Sequence, residues 1–476
     1  MNDSSSAHVS KKFYLLLVAA LVVFLVLRFS PVFLELFLNF KPGSLPPTGI
    51  FTSPWVLGVM ILVFLSFAWA INRKFNILKA FIESNPKRFL TVALLGMIGL
   101  LAIGKLSFAV YTDEKRDIFV SNLMTRAGVQ TYSQIVAEKS TPMSSEEKSY
   151  LDWARSLHPV GHYLPALLVH KKEGTIFWRF FYGCLPLLLV ALLIWRWKPV
   201  DKDQIWFIAL VGIIMLSSAY FRNYVLIRVS NELIPAMGMT CFFLLLWRAS
   251  AGKRLSLPVE IVILALPVFI SISAKYSATV TWAAAVFALI VVWLARRDWP
   301  SGRILLLCLG SGLLGVGLHI YLWVNTDMLA GHRDNYGVKI LKTLGIAPPE
   351  WMHVTGLGLE GSTSSIPLLL LGAPVWFGPF IFAGILLGGW LFFKKALWRD
   401  SLWLFLVVFL ATNLVGVLAV NPRAAYLSPA VMPMAIFCAL AYRKALSAQH
   451  CRELVFLAYA FVAINVLIIS ISSLRW

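Results

Sequence analysis

Long apolar runs alternate with short polar stretches along nearly the whole chain. Several of these runs reach the roughly 20 residues that an α-helix needs to cross a bilayer. Strands of a membrane β-barrel would alternate apolar and polar residues instead, and these runs do not. The pattern therefore predicts an all-α, polytopic membrane protein with about 13 transmembrane helices. We place these helices at residues 13–29, 51–71, 89–111, 177–195, 204–220, 231–247, 258–274, 276–294, 304–325, 366–393, 401–420, 425–442 and 454–473.

The composition agrees with this class of protein. Of the 476 residues, 59% are hydrophobic and 13% are charged, whereas a soluble protein carries about 25% charged residues. The net charge is +20, which in a soluble chain would indicate a nucleic-acid partner. Here Lys and Arg gather in the loops between the apolar runs, so we expect no nucleic-acid partner.

The positions of Lys and Arg also predict the orientation. Alternate loops carry the basic pairs, and the positive-inside rule places these loops in the cytoplasm. The N-terminus is then inside and, with an odd number of helices, the C-terminus is outside. We therefore expect a multi-pass protein of the cytoplasmic (inner) membrane. The basic loops, as we call this set, carry Lys11, Lys12, Arg73, Lys74, Lys87, Arg88, Arg196, Lys198, Lys253, Arg254, Arg296, Arg297, Lys394, Lys395, Arg443 and Lys444.

Two loops on the predicted outer side are long. Residues 112–175 mix acidic residues with scattered apolar ones, a pattern typical of short interfacial helices lying on a membrane. Residues 325–365 include a Gly/Ser tract, and long loops of this kind are often functional lids or disordered segments. We divide the chain into two additional N-terminal helices within 1–88 and a core at 89–476, with its chemistry in the first outer loop.

The acidic pair Asp113–Glu114 stands where an apolar run ends on the predicted outer side. A carboxylate at this position can accept a proton from a hydroxyl nucleophile or hold a divalent metal. Adjacent residues on a helix point about 100° apart, so the two side chains share one role poorly. We assign Asp113 the role of base and Glu114 a supporting role. The alternative is a pair of ordinary solvated charges at a membrane boundary.

A second motif in the same loop is His158-Pro159-Val160-Gly161-His162. Proline favours the first turn of a helix, so a helix is expected to begin here. His158 and His162 then lie four residues apart on one helix face. They form a candidate metal-binding or substrate-binding pair. The alternative is a pair of interfacial histidines held by ordinary hydrogen bonds.

Two acidic residues, Glu232 and Glu260, fall within predicted membrane helices. Ionisable groups inside the bilayer are functional candidates by default. Glu232 lies at the outer mouth of its helix, and Arg228 either joins it in a site or neutralises it structurally. Glu260 lies near the cytoplasmic edge of its helix, and there we expect it to be solvated.

The predicted outer side has few basic residues, so each one is informative. A phosphate leaving group requires positive charge, and Arg offers bidentate hydrogen bonds to it. The outer candidates are Lys105, Arg222, Arg228, Lys275 and Arg423. For Lys105, inside its helix, snorkelling to the surface is the alternative. Two neighbouring apolar runs are separated by little more than Lys275-Tyr276. Either a tight outer turn joins two helices there, or one helix is broken.

In their order along the chain, these motifs resemble those of the GT-C class of integral-membrane glycosyltransferases. The closer resemblance is to the branch that contains protein O-mannosyltransferases and lipid A aminoarabinose transferases. The matching elements are the acidic pair Asp113-Glu114 after an outward-going helix, His158-Pro159-Val160-Gly161 for a His-Pro-Pro helix, Arg228 to Glu232 for an Arg-x-x-x-Asp stretch, Ala274-Lys275-Tyr276 for a Thr-Lys turn, and Arg423-x-x-Tyr426-Leu427-x-Pro429 for an Arg-Tyr-Leu-x-Pro entry to a helix. The departures are Val160 in place of the second proline, Glu in place of Asp at 232, two extra N-terminal helices, and no soluble outer C-terminal domain.

The resemblance implies transfer of a sugar from a polyprenyl-phosphate donor to a hydroxyl or phosphate of a glycan, lipid or protein acceptor. The reaction would take place on the outer face of the membrane and invert the anomeric carbon. Asp113 and Glu114 would be catalytic, and membrane lipid would border an apolar groove for the polyprenyl tail. A divalent metal stays an open alternative, and no other cofactor is expected. The implied substrate-binding residues are His158, His162, Arg228, Glu232, Lys275, Tyr276, Arg423 and Tyr426.

Two other functions remain alternatives. A transporter or flippase of lipid-linked sugars would place ionisable groups near the bilayer midplane, in discontinuous helices of paired halves. In this chain the candidate ionisable residues gather on the predicted outer side, and the sequence shows no pair of repeated halves. An O-antigen polymerase or ligase would use Arg and His in large outer loops, and His332-Arg333 in the second outer loop agrees with that reading.

Overall fold

A computed structural model describes a large part of the C-terminal two thirds of the chain. The described residues are 202–218, 221–222, 233–250, 256–275, 277–297, 302–325, 377–420 and 424–473, together with 144–150 and the single positions 96, 99, 115, 118, 119 and 347. Within them the chain is helical and contains no β-strand. The all-α class predicted from the apolar runs is therefore confirmed for this part of the protein.

The helices from residue 202 onwards follow the predicted apolar runs. In chain order they are α1 Lys202–Ser217, α2 Leu233–Ser250, α3 Leu257–Glu260, α4 Leu266–Ala274, α5 Ser277–Arg296, α6 Gly302–Asn325, α7 Pro379–Lys394, α8 Ser401–Val420, α9 Val431–Ala445 and α10 Ala448–Ser473. A π-helical turn, Ile261–Ala265, joins α3 to α4. Two 3₁₀ segments, Leu397–Arg399 and Ala424–Ala430, precede α8 and α9.

Proline and glycine explain where the helices depart from the predicted runs. The run 366–393 is not one continuous helix, because Gly378 has φ 80° immediately before α7. A Cβ at Gly378 would lie 2.7 Å from the carbonyl oxygen of Ser217, so only glycine fits both the backbone and the space. The run 425–442 begins instead as a 3₁₀ segment containing Pro429, because proline lacks the N–H that an α-helical turn would use.

Three described helical stretches are long and apolar enough to cross a membrane. They are Ser277–Arg296, Gly302–Tyr321 and Ser401–Leu418, and shorter apolar helices lie at Trp206–Ser217, Leu233–Phe243 and Pro379–Lys394. The membrane assignment is thus supported by length and composition in the described part. The full set of about 13 helices stays a prediction from the apolar runs.

The two faces of α6 show how such a helix meets its surroundings. Its exposed side is apolar, with Leu306, Leu313, Leu314, Ile320 and Tyr321 between 51% and 70% exposed. Beyond Ile304 in the first turn, its buried residues are small or polar, and they are Cys308, Ser311, Gly312, Gly315 and His319. A helix in water has the opposite arrangement, with its apolar stripe toward the core. The distribution on α6 is that of a helix whose outer face meets lipid.

Small residues bring the helices close together. Added Cβ atoms would meet the Pro267 carbonyl oxygen at Gly238, Ile272 at Gly315, Cys438 at Gly384 and Val280 at Gly416. These contacts join α2 to α4, α4 to α6, α7 to α9 and α5 to α8. Helices in lipid gain little from the hydrophobic effect between them, so close approach through small residues supplies much of their attraction.

Several contacts link the ends of helices that border basic loops. The Arg296 guanidinium donates to the carbonyl oxygen of Trp398 at 3.1 Å, and the Arg443 guanidinium lies 5.9 Å from the centre of the Phe207 ring. Each contact therefore joins residues beside two loops of the same predicted side. Residues beside predicted inner loops thus contact one another, which supports the predicted alternation of inner and outer loops along the chain. The orientation relative to the cytoplasm stays a prediction.

The environment of Glu260 corrects one expectation. We expected this residue to be solvated, yet its side chain is only 3% exposed. Two guanidinium nitrogens of Arg303 each lie 2.7 Å from one of its carboxylate oxygens. A buried carboxylate is tolerated when it is paired and hydrogen-bonded. Arg303 lies in the first turn of α6, so the ion pair ties the start of α6 to the end of α3.

The contact between α7 and α9 can be tested with two glycines on the same helix. Gly384→Ala should lower the thermal unfolding midpoint, because its Cβ would lie 2.5 Å from the Cβ of Cys438, and overpacking costs about 1–3 kcal/mol. Gly389→Ala is the matched control, since nothing lies within 4 Å of its added Cβ. Thermal unfolding of the purified full chain in detergent measures both. Equal midpoints for the two variants would contradict the contact.

The ion pair of Glu260 and Arg303 should also contribute to stability. Arg303→Gln leaves a buried carboxylate without its cation and should cost about 1–3 kcal/mol. Adding Glu260→Gln to that variant should recover part of the loss, because the unpaired charge is then absent. Arg297→Gln, at an exposed position, serves as the control for loss of a positive charge. Unfolding midpoints that show no recovery in the double variant would argue against a buried pair.

Candidate functional site

Most of the predicted site residues lie outside the described part of the chain. These are Asp113, Glu114, His158, His162, Arg228, Glu232, Tyr276 and Arg423. Lys275 is described in full, and Tyr426 is described as a position in the 3₁₀ segment Ala424–Ala430. The described part of the candidate site therefore consists of Lys275 and of the helices that adjoin the other motifs.

Lys275 lies at the tip of a helical hairpin formed by α4 and α5. Its backbone is extended, with φ −152° and ψ 129°, and its N–H donates to the carbonyl oxygen of Ser271 at 3.1 Å. Its own carbonyl oxygen accepts from Ala278 N–H at 3.0 Å. These two bonds close the turn without an ordered loop. The side chain is half-buried, so an ammonium group stands at the rim of the helix bundle.

The packing of α6 distinguishes a hairpin from a broken helix. The segment from α3 to α4 runs parallel to α6, since Glu260 meets Arg303 and Ile272 meets His319. The next helix, α5, runs antiparallel to α6, since its start adjoins the end of α4 near His319 while only five residues separate its end from the start of α6. The Trp282 indole N–H of α5 also donates to the Cys308 carbonyl oxygen of α6 at 2.9 Å. The chain therefore reverses direction at Lys275. Of the two sequence alternatives, the tight turn is the one found.

The beginning of α2 lies beside this hairpin. The Ser271 hydroxyl lies within hydrogen-bonding distance, 3.4 Å, of the carbonyl oxygen of Ile234. Gly238, one turn later, packs against the backbone of Pro267. The first residue of α2, Leu233, directly follows Glu232 in the sequence. The chain thus enters α2 close to the last turn of α4, one turn from Lys275.

The 3₁₀ segment Ala424–Ala430 packs against α2, α5, α8 and α9. Leu427 and Ser428 within it are 3% and 1% exposed. The segment follows the end of α8, and the nearby Gly416 packs against Val280 in the first turn of α5. Three elements therefore converge on this side of the hairpin: the start of α2, the Lys275 turn, and the segment that carries Tyr426.

Unsatisfied polar groups lie in the helix interior next to this convergence. Each of four side chains beside the hairpin is at most 8% exposed and has a polar atom without a hydrogen bond to another described residue. These side chains are Ser273, Ser277, Thr281 and Asn413. Because α5 and α8 are antiparallel and Gly416 meets Val280, Asn413 lies about one turn farther along α5 than Val280. Buried polar groups of this kind normally bind water or a ligand. We call these four residues the polar line.

Two further buried polar residues have structural partners. The His319 ring nitrogen Nε2 lies 2.7 Å from the carbonyl oxygen of Ile272, one turn before Lys275. Arg222, an outer candidate from the sequence, is fully buried, and its Nη1 donates to the Leu216 carbonyl oxygen at 3.2 Å. It therefore caps the C-terminal end of α1, where a cation is favoured. The sequence had not singled out His319 or Asn413, although any polar residue within an apolar run is a functional candidate.

Part of the first outer loop is also described. Residues 145–150 are helical, and Ser144 and Glu147 form a reciprocal capping box, with N–H···O distances of 2.8 and 3.2 Å. This arrangement is the usual way to start a helix at Ser-x-x-Glu. The Phe119 ring lies 6.0 Å from the Tyr150 ring. A helix in this loop is confirmed, and it packs against the helical residues that follow the acidic pair by a few positions.

The described residues of this region supply positive charge and uncharged polar groups. No group of three or more His, Cys, Asp or Glu side chains comes together within the described ranges. Lys275 supplies positive charge at the rim, and the polar line supplies hydroxyl and amide groups behind it. Such groups can bind an anion and the hydroxyls attached to it.

None of the protein-family models, the curated proteins or the solved structures matches this chain.

Proposed function

We propose that this protein is a membrane glycosyltransferase of GT-C type that takes its sugar from a polyprenyl-phosphate donor. The acceptor is a hydroxyl or phosphate of a glycan, lipid or protein on the outer face of the cytoplasmic membrane. The proposal rests first on the ordered motifs from Asp113-Glu114 to Arg423-x-x-Tyr426. Its main structural support is the convergence of the α2 start, the Lys275 turn and the Ala424–Ala430 segment.

The proposed reaction is a single displacement. The acceptor oxygen forms a bond to the anomeric carbon while the bond from that carbon to the donor phosphate oxygen breaks, which inverts the configuration. Asp113 takes the acceptor proton, and polyprenyl phosphate leaves. Lys275 and Arg423 stabilise the departing phosphate, since preorganised positive groups act most strongly where negative charge develops.

The polyprenyl tail would lie along an apolar helix face. The exposed apolar stripe of α6 shows that such faces are present on the described bundle. Each buried methylene group favours association by about 0.8 kcal/mol, so a long tail binds firmly while the phosphate fixes its position. The polar end of the donor then lies beside Lys275.

The first prediction concerns the base. Asp113→Asn should reduce sugar transfer by at least about 10²-fold, within the range over which general acid–base groups contribute. Asp117→Asn removes the same charge from the same loop four residues later and should retain activity. Consumption of lipid-linked sugar by purified protein in proteoliposomes is the measurement. Near-full activity of Asp113→Asn, with folding unchanged, would remove Asp113 from the mechanism.

The second prediction concerns the phosphate-binding groups. Polyprenyl phosphate should protect Lys275 from acetylation and Arg423 from a dicarbonyl reagent, because bound phosphate covers both groups. Lys444 is exposed and borders a basic loop, so its acetylation should not change. Peptide mass spectrometry after modification reads all three positions. Equal labelling of Lys275 with and without the lipid would count against a donor site at the hairpin.

A lipid-sugar flippase is the second candidate, and the polar line favours it. Asn413 places an uncharged polar group well inside apolar α8 rather than at its end, as the translocation paths of transporters do. The two functions differ in whether the sugar–phosphate bond breaks. In proteoliposomes that contain donor and acceptor, we expect cleavage of the donor. Movement of intact donor between leaflets without cleavage would favour the flippase.

A further inference from the structure

The turn between α7 and α8 presents a patch of aromatic and basic side chains on the surface. Its aromatic members are between 42% and 79% exposed, and its basic members are exposed as well. We call this patch the cationic turn, and it consists of Trp390, Phe393, Lys394, Lys395, Trp398 and Arg399. None of the residues proposed for sugar transfer belongs to it, so the patch requires an explanation of its own.

Two of the cations lie against tryptophan rings and keep their hydrogen-bond donors. The Lys394 ammonium lies 4.5 Å from the centre of the Trp390 ring, and the Arg399 guanidinium carbon lies 5.1 Å from that of Trp398. Both distances are within the range of cation–π attraction. Within the described bundle, neither these two side chains nor that of Lys395 forms an ion pair or a hydrogen bond. Their N–H groups are therefore open to an anion.

The acid nearest to this patch in the sequence is already engaged. Between residues 377 and 420 the sequence has three basic residues and one acidic residue, Asp400. The Asp400 carboxylate accepts the backbone N–H groups of Leu402 and Trp403 at 2.9 and 3.2 Å. It thus caps the start of α8, where negative charge is favoured. The cationic turn therefore keeps an excess of positive charge.

The backbone of the turn is held in place. Ala396 has a left-handed conformation, with φ 50°, and its carbonyl oxygen accepts the N–H of Arg399 at 3.1 Å. The Arg296 guanidinium, at the end of α5, donates to the carbonyl oxygen of Trp398 at 3.1 Å. The cations are therefore carried by a fixed turn, which reduces the loss of conformational freedom when a ligand binds.

The residues along α7 change from apolar to cationic over the depth of one leaflet. Leu386, Trp390 and Phe393 are exposed and follow at spacings of four and three residues, which places them on one face of the helix. From Leu386 to Lys394 the helix rises about 12 Å, close to the roughly 15 Å of hydrocarbon in half a bilayer. The order of acyl chain, interface and phosphate in a leaflet is the same.

We propose that the cationic turn binds anionic phospholipids of the leaflet that borders the basic loops. The lipid phosphates contact Lys394, Lys395 and Arg399, and the acyl chains lie along the exposed face of α7. Positive charge at a membrane surface attracts anionic headgroups, whereas a zwitterionic headgroup brings a cation of its own.

The apolar part of the surface favours a lipid over a soluble anion. A free phosphate ion or an acidic peptide would use the cations and leave Phe393 and Leu386 uncovered. A phospholipid covers both parts, because its charge and its apolar chains lie in the same order as those of α7. The combination of open cations with exposed rings is thus matched to an anionic amphipathic ligand.

The test places the photoreactive amino acid p-benzoylphenylalanine at position 393 of the full-length protein, where the natural side chain is 79% exposed. The protein is reconstituted in vesicles of equal parts phosphatidylglycerol and phosphatidylcholine and then irradiated. Mass spectrometry of the peptide adducts identifies the attached lipid. We expect about a fivefold or greater excess of phosphatidylglycerol adducts, since even one cation near a headgroup supplies this selectivity.

Three comparisons locate the effect. Lys394→Gln/Arg399→Gln, combined with the probe, should lower the excess by about threefold or more. Arg443→Gln/Lys444→Gln removes two positive charges beside another basic loop and should leave the excess unchanged. The same photoreactive group at Leu313, an exposed apolar position on α6, should react with the two lipids in about equal amounts.

Salt provides a test that needs no charge variant. At 1 M salt the screening length falls to about 3 Å, so the excess at position 393 should decrease. If Lys394→Gln/Arg399→Gln fails to fold, this salt series decides the question. Sugar transfer is not part of the readout, so the result stands apart from the proposed transferase activity.

Several results would overturn the proposal. They are equal adducts of the two lipids at position 393, an excess that the Lys394→Gln/Arg399→Gln variant or high salt leaves unchanged, and the same excess at position 313. Lipid adducts at position 313 with none at 393 would also overturn it, because the cationic turn would then not face lipid.

Discussion

Polar groups inside a bilayer must find partners within the protein, because lipid offers none. The described helices meet this constraint in three ways. Their backbones satisfy themselves, their charged side chains stay near helix ends, and the few charges that are buried are paired or act as caps. Glu260 with Arg303 and Arg222 with the Leu216 carbonyl oxygen are examples of the last case.

Close helix packing follows from the same constraint. Since lipid tails compete equally for apolar side chains, helices associate through tight contacts and through specific polar ones. Gly384 against Cys438 illustrates the first kind, and the Trp282 indole N–H on the Cys308 carbonyl oxygen illustrates the second. The outer faces are left apolar, as on α6. The bundle is thus held by its small and polar residues, and its large apolar residues are divided between the interior and the lipid.

Against this background, the polar line and the Lys275 turn have a distinct meaning. Most buried polar atoms in proteins are hydrogen-bonded, whereas both side-chain polar atoms of Asn413 make no such bond within the described bundle. These groups lie beside the place where the α2 start and the Ala424–Ala430 segment meet the hairpin. The proposed donor site and the polar line are therefore neighbours.

Within the described residues, the apolar runs alone determined the helical class and most helix positions, because length and hydropathy are local properties of the chain. Uninterrupted runs such as 276–294 and 401–420 became α5 and α8 nearly as predicted, whereas Gly378 and Pro429 shifted the start of α7 and α9. The sequence also named Lys275 as a turn or a break. Only the tertiary structure decided that it is a turn, since the direction of α5 is set by its packing on α6. The burial of Glu260 against Arg303 and the burial of Asn413 likewise depend on residues far away in the chain. Partners of this kind are chosen by helix packing, and hydropathy along the sequence does not encode them.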